Sequence, residues 1–394
     1  MSSDNDPPIP SNDDPTLHLP ESAEPAEQVT LPTESPETPF TDGMEEPETE
    51  DAGIHYRYRQ QHMLGKGGNG MVISVFDRKM NRPVALKITN STQAERSAKL
   101  RFLREAQVTG QLNHPNVMPV YDIGTNPSGQ VFFTMKEVQG ESLAQRIRAG
   151  IAGSQVERLM VFRQVCNAIA FAHSRGVLHR DIKPANVMVG EYGEVLVVDW
   201  GLCKVLGENP DIQHDHVTDV SDDELMTQAG DVAGTPAFMA PEQARGAGEE
   251  LDTRTDVYAL GALLYTLLLE IPPFKGEVVR VLERVIRGDY RPPREVDKGR
   301  VPRELDAIIQ KAMQTKMDDR YQTVAALSED VQAFLEKRPV SVLRYSPLQR
   351  AAKWASRNQR VVRPVGLTSA LAAAALLSGG LLHFNRVSQA RDAA

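Results

Sequence analysis

Apolar and polar positions change their period along the chain. From Tyr56 onward, short β-branched and apolar runs, Met71 to Phe76 and Val84 to Ile88, are separated by Asn81-Arg82-Pro83, which predicts two strands joined by a turn. A charged stretch from Gln93 to Leu112 is helix-prone, and another strand is expected near Gln130 to Met135. Beyond Gly140 the helical period dominates, as in Val156 to Val165 and Tyr258 to Tyr265, with one short strand over Glu194 to Val198. The pattern predicts a small sheet with one prominent helix, followed by a helix-rich lobe.

The two ends of the chain follow neither period. Residues 1–51 hold 15 Asp and Glu and no Lys or Arg, in a background of Pro, Ser and Thr with almost no aromatic residue. Such a segment cannot bury enough apolar area to offset its ordering entropy, so 1–54 reads as a disordered acidic arm, and its charge disfavours nucleic acid. Residues 52–338 are nearly balanced, with 36 basic and 37 acidic side chains, and 339–394 carry eight basic and one acidic. The formal net charge of −9 therefore conceals three unlike parts.

From Val365 to Phe384 there are 20 residues without a formally charged side chain. At about 1.5 Å per residue that is the ~30 Å a bilayer core requires. Arg344, Arg350, Lys353, Arg357, Arg360 and Arg363 precede it, with Trp354 among them. The alternative is an Ala-rich buried helix. The basic run favours a single membrane span, 365–384, with 339–364 as a basic juxtamembrane segment on the cytoplasmic side and 385–394 as a short extracytoplasmic tail. Anionic lipid headgroups are the expected partner of that segment, ahead of nucleic acid. The N-terminus has no basic region followed by an apolar run, which argues against a cleaved signal peptide. Two cysteines, Cys166 and Cys203, cannot form a disulfide framework and suggest a reducing compartment. The nine histidines show no metal-ligand spacing, and the thirteen methionines read as core filler.

The candidate chemistry lies in the balanced body. Gly65-Lys66-Gly67-Gly68-Asn69-Gly70-Met71-Val72 has the spacing G-x-G-x-x-G-x-V. Alone it would also suit a dinucleotide-binding turn, but here the glycines lead into a strand, and the next strand supplies Lys87. Backbone N–H groups that approach phosphate oxygens, with a lysine charge beside them, suit a nucleoside triphosphate. Glu105 is the candidate carboxylate to hold Lys87. His179-Arg180-Asp181-Ile182-Lys183-Pro184-Ala185-Asn186 is followed thirteen residues later by Asp199-Trp200-Gly201. Asp181 is placed to accept the proton of an attacking hydroxyl, Lys183 to neutralise a transferring phosphoryl group, and Asn186 and Asp199 to offer hard oxygen ligands to Mg²⁺.

With these motifs in this order, the chain from about Tyr56 to Arg338 resembles the protein-kinase superfamily, and within it the eukaryotic-like serine/threonine kinases of bacteria. The resemblance implies an α+β, two-lobed kinase fold over 55–338, with ATP and Mg²⁺ between the lobes. It implies catalytic roles for Asp181, Lys183, Lys87 and Glu105 and an ATP site of Leu64, Gly65, Lys66, Gly67, Gly68, Asn69, Gly70, Val72, Ala85, Lys87, Met135, Val138 and Glu141. Val72 and Ala85 would sandwich adenine, Met135 would be the gatekeeper, Lys136 to Val138 the hinge, and Glu141 would lie near the ribose. Lys183, with Gly234-Thr235-Pro236 ahead of Ala240-Pro241-Glu242, looks like the Ser/Thr branch. Asp256 would buttress the catalytic loop and Arg320 would pair with Glu242. His179 and His114-Pro115-Asn116 look structural.

One departure is Trp200 in the place usually held by Phe, which predicts a working site with an altered inactive-state preference. Cys203, close by, is either an inert thiol or one reachable from the nucleotide site. Related kinases carry two threonines ahead of the Gly-Thr pair; here Thr227 keeps the first, making it the expected autophosphorylation site, with Arg180 as a phosphate partner. Thr235 is expected at Asp181 and Lys183. Protein substrates with Ser or Thr acceptors follow, as does a homodimer for trans-autophosphorylation. The rivals are a membrane-tethered pseudokinase, disfavoured by the full set Lys87, Glu105, Asp181, Asn186 and Asp199, and a small-molecule kinase, disfavoured by Ala240-Pro241-Glu242.

Overall fold

The computed structural model describes residues 57–67, 70–89, 96–206, 236–247 and 250–358, and beyond these 364, 368, 374–380 and 391. The acidic arm, Gly68, Asn69, Thr227, Thr235 and most of 365–384 lie outside the described residues. Every described residue belongs to one unit, 51–394.

Five strands form the N-terminal sheet: β1 (Tyr58–Gly67), β2 (Gly70–Asp77), β3 (Arg82–Ile88), β4 (Val120–Thr125) and β5 (Val131–Met135), with helix α1 (Arg96–Gln111) between β3 and β4. The spatial order is β1-β2-β3-β5-β4, with all neighbours antiparallel. The Asn81 turn appears where expected, at φ 52°. Tyr58, Val75, Val84, Leu86 and Phe132 pack on one face of the sheet. On α1, Phe102 and Ala106 pack against Val131 and Phe133, with the Phe102 and Phe133 rings 5.0 Å apart. That contact fixes the helix, and Glu105 with it, over the strand that carries Lys87.

The second lobe begins with β6 (Gly140–Ser142), α2 (Leu143–Arg148) and α3 (Gln155–Ser174). Ser154 caps α3 in a reciprocal box with Glu157, which satisfies two otherwise orphaned amides. The short strands β7 (Val177–Leu178), β8 (Val187–Gly190), β9 (Val195–Val197) and β10 (Lys204–Val205) then carry the catalytic loops. Next come α4 (Pro241–Ala244), α5 (Thr253–Leu269), α6 (Val278–Arg287), α7 (Pro293–Val296), α8 (Arg303–Ala312), α9 (Val324–Leu335) and α10 (Pro347–Arg357). Helix α5 is buried at every position from Thr255 to Leu269, as its nearly continuous apolar sequence requires. It is the central post of the lobe.

Packed structure continues past the boundary expected after Arg338. Val340 lies in the main core, the Ser341 amide and hydroxyl donate to the Asp330 carboxylate at 2.6 and 2.7 Å, and Lys353 on α10 pairs with Glu304 at 3.0 Å. Residues 339–357 thus continue the helical lobe. Methionine is less uniformly core filler than its count suggested, since Met118 and Met313 are buried while Met63, Met80 and Met160 are exposed. Among the described residues no helix is long and apolar enough to cross a membrane.

Candidate active site

The β1–β2 hairpin brings the glycine run together, with Gly65 opposite Val72, Lys66 opposite Met71 and Gly67 opposite Gly70. Gly70 has φ 156°, and a Cβ there would collide with the Ile88 carbonyl oxygen. No other residue fits that crossing. Leu64 is exposed at the hairpin edge, and Val72 lies beside Lys87 in the β2–β3 register.

Lys87 is held from several sides. Its Nζ lies 2.5 Å from Glu105 Oε1 and 3.8 Å from Asp199 Oδ1, and the rings of Phe102 and Phe133 flank it at 5.9 and 5.7 Å. Burial works against the ammonium charge, but Glu105 and Asp199 raise the lysine above its ordinary value. For Glu105, burial dominates: it pushes the carboxyl up to about 6, helped by Asp199 and opposed by Lys87.

The residues expected around adenine lie on β3, β5 and the segment that follows. Ala85 is buried and pairs with Met135, the Lys136 amide bonds the Pro119 carbonyl at 3.1 Å, and Val138 is half-buried. Glu141 is exposed on β6 opposite Val189. Sequence reasoning missed a tie behind this segment: Ser74 Oγ donates to Glu137 Oε2 at 2.8 Å.

The catalytic loop hangs from α5. Asp256 accepts the amides of His179 and Arg180, each at 2.9 Å, and the His173 ring at 2.7 Å. Burial alone would raise this carboxyl, but the His173 hydrogen bond and charge, with His179, hold it below the ordinary aspartate value. His173, in the last turn of α3, went unnoticed in the sequence, as did Gln243, whose amide donates to the Arg180 carbonyl at 2.9 Å. These contacts hold Arg180 at φ 68°, a left-handed conformation costly for a non-glycine residue, and so aim Asp181. His179 Nδ1 accepts the Asp181 amide at 3.2 Å, so its Nε2 carries the proton toward Val198 O at 3.3 Å. The expected structural role of His179 is met.

Asp181 Oδ2 accepts from Lys183 Nζ at 2.7 Å and from Asn186 Nδ2 at 2.9 Å. The same Asn186 nitrogen also donates to the Asp181 carbonyl at 2.9 Å. With its side-chain N–H groups committed, Asn186 has its side-chain oxygen Oδ1 left to ligate. Asp199, at φ 64°, is tied to the loop through the Val198 amide, which donates to Asn186 O at 3.0 Å. Gly201 stands against both carboxylates: a Cβ there would lie 3.4 Å from Glu105 Oε2 and 3.5 Å from Asp199 Oδ1. The Asp199 carboxylate and the Asn186 side-chain oxygen are hard donors of the kind Mg²⁺ takes, one or two from protein with the rest from water and phosphate. Among the described residues no cluster of three or more His, Cys, Asp or Glu forms a self-sufficient metal site.

Trp200 is fully buried, with its ring 4.5 Å from that of His179, and its indole Nε1 has no hydrogen-bond partner among the described residues. Cys203 is buried and burial pushes its thiol up to about 11, so the idea of a reactive cysteine reachable from the nucleotide site is overturned. Glu242 and Arg320 form the expected pair, two parallel bonds of 2.7 Å, both side chains buried.

This geometry is that of a kinase lobe interface. A profile of the protein kinase domain matches residues 58–337, and the chain belongs to that family. It is 37% identical over 292 residues to the serine/threonine-protein kinase PknD of Protochlamydia amoebophila, covering 70% of this chain and 29% of that protein. It is 33% identical over 327 residues to the serine/threonine-protein kinase PknB of Mycolicibacterium smegmatis, covering 79% of this chain and 50% of the relative. PknB of Mycobacterium tuberculosis is 34% identical over 280 residues, 70% of this chain and 42% of that one. The chain therefore spans half or less of the length of these relatives.

Proposed function

We propose that this chain is a membrane-anchored serine/threonine protein kinase that transfers the γ-phosphoryl group of ATP to Ser and Thr hydroxyls of protein substrates. The observation that carries this reading is Asp181 Oδ2, fixed at 2.7 and 2.9 Å by Lys183 and Asn186. A carboxylate so held keeps its second oxygen for a substrate hydroxyl. Asp199 and the side-chain oxygen of Asn186 are the groups that would hold Mg²⁺, which would supply positive charge to offset that of the phosphates. The glycine hairpin and Lys87 position the triphosphate, Asp181 orients the hydroxyl and takes its proton, and Lys183 offsets charge on the transferring group. Catalysis then comes from positioning and charge stabilisation.

The rest of the reading draws on sequence. Thr227 is the autophosphorylation site, placed by its position ahead of Gly234-Thr235, and Arg180 is a phosphate partner; modification between two copies of the chain implies a transient homodimer. The uncharged stretch 365–384 after a basic run supports a single span with the kinase domain on the cytoplasmic side. Within it, residues 374–380 are helical, with Leu376 and Leu377 exposed.

Incubating the purified chain with labelled ATP, Mg²⁺ and a protein acceptor, then mapping phosphoserine and phosphothreonine, tests the activity and separates it from a pseudokinase or a small-molecule kinase. Thr227→Ala is expected to lower activity, and full activity in that variant would sink the switching role. Recovery of the whole chain in a soluble cell fraction would refute the anchor.

A further inference from the structure

The segment that packs beyond the family match lines an open, shallow cavity of about 650 Å³ between residues 339–345 and α10. Val340, Leu343 and Tyr345 form one wall, and Arg350, Trp354 and Arg357 form the other. The last three recur at i, i+4 and i+7, so they share one face of the helix. No acidic side chain lines the cavity, and neither arginine has an ion-pair partner among the described residues. Trp354 is 50% exposed at its mouth.

The helix that presents this face does not swing freely. Lys353, between the two arginines, is committed to the lobe: to Glu304 at 3.0 Å, to the Arg338 carbonyl at 3.4 Å and over the Tyr345 ring at 5.3 Å. Asp330 holds Ser341 at the opposite wall. The basic face is thus built rigidly onto the kinase lobe, with two guanidiniums left for something anionic.

We infer that this cavity binds the phosphate headgroup of an anionic phospholipid, so that α10 lies at the membrane surface and orients the kinase domain against it. Two free guanidiniums suit a phosphodiester, which they can clasp with paired N–H donors. Leu343 and Tyr345, both partly exposed, offer an apolar wall to the first methylenes of the lipid. A half-exposed tryptophan is the side chain that settles at the interface between headgroups and hydrocarbon. The chain leaves α10 toward Arg360 and Arg363 and then the uncharged stretch, so the cavity opens only a few residues from where a bilayer would begin. This inference rests on the membrane-anchored reading.

The test uses the full chain, which has two tryptophans, one of them the fully buried Trp200. Quenching by brominated acyl chains therefore reports on Trp354. The chain is reconstituted in nanodiscs of brominated phosphatidylcholine alone or doped with brominated phosphatidylserine. Trp354→Phe identifies the signal, and the double substitution Arg350→Gln, Arg357→Gln removes the charges. Quenching is expected to be about twofold stronger with phosphatidylserine, and the double variant should lose that gain while keeping its thermal melting point and phosphoryl transfer. Equal quenching in both lipids, or a double variant that keeps the preference, overturns the proposal. If millimolar inorganic phosphate raised the melting point of the parent but not of the double variant, while phosphatidylserine gave no gain in quenching, the site would belong to a free anion and the proposal would be overturned. Failure to enter nanodiscs refutes the anchor instead. The same chain mixed with vesicles of the two compositions then decides the cavity by itself: preference for phosphatidylserine sustains it, and indifference ends it.

Discussion

Lys87 and Glu105 meet at 2.5 Å across the gap between β3 and α1, and the carboxyl of that pair sits at about 6. Glu105 must be ionised to hold the ammonium on the phosphates. As pH falls through about 6 it takes up a proton, Lys87 loses its anchor, and kcat/KM should decline with an inflection there. Glu105→Gln should abolish that inflection and lower kcat/KM by about 10²-fold, the scale of a displaced catalytic group. The stability effect has the opposite sense. The folded value lies above the ordinary glutamate value of 4.5, so the folded state binds the extra proton, and the contribution is lost as pH rises through about 6. Relative to Glu105→Gln, denaturant unfolding of the parent should lose about 2 kcal/mol between pH 4 and 7.

Asp181→Asn keeps both donors near the side chain but removes the proton acceptor. Phosphoryl transfer should fall by about 10²- to 10⁴-fold, with nucleotide affinity unchanged by calorimetry. Normal turnover in that variant would contradict the role given to Asp181.

Arg320 makes two parallel bonds of 2.7 Å to Glu242 and is itself buried. Arg320→Ala leaves the carboxylate unpaired in the core and should cost about 3–5 kcal/mol in denaturant unfolding. Lysine should not rescue it, because one ammonium cannot reproduce the two-pronged contact.

The Asp330 carboxylate accepts from Tyr321 Oη at 2.7 Å as well as from Ser341. Asp330→Ala should destabilise the chain by about 3 kcal/mol and loosen the backbone around the already exposed Arg344 and Arg350, so that trypsin cuts there earlier, read by the size of early fragments. If the cleavage pattern did not change, the residues after Arg338 would not be held by this contact.

Cys203 should remain unlabelled by iodoacetamide at pH 8 until the chain is unfolded, since burial pushes its thiol up to about 11. Mass spectrometry of the native and denatured protein decides this.

The interior strands β2, β3 and β5 were legible because their β-branched and apolar runs match their burial. The edge strands were not. In β4 the apolar Tyr121 and Ile123 face outward, while Asp122 points to Arg57 at 2.5 Å and to Tyr58 Oη at 3.2 Å. Its pattern is inverted by an ion pair that no local window contains. β1 is mostly exposed and polar, so it shows no alternation. Site residues within motifs could be read directly, whereas His173 and Gln243 act through Asp256 and Arg180, 83 and 63 positions away. Likewise, nothing near Arg338 announces that Asp330 will hold Ser341.

The suspension of the catalytic loop from Asp256 links chemistry to the global unfolding of the lobe. The amides of His179 and Arg180 end on a carboxylate inside a helix buried on all sides, so neither can meet solvent until that helix is uncovered. Their hydrogen exchange should proceed only through whole-lobe opening. The proton acceptor of the reaction is thereby kept in register by the least mobile part of the molecule, and activity should survive on heating until the lobe itself melts.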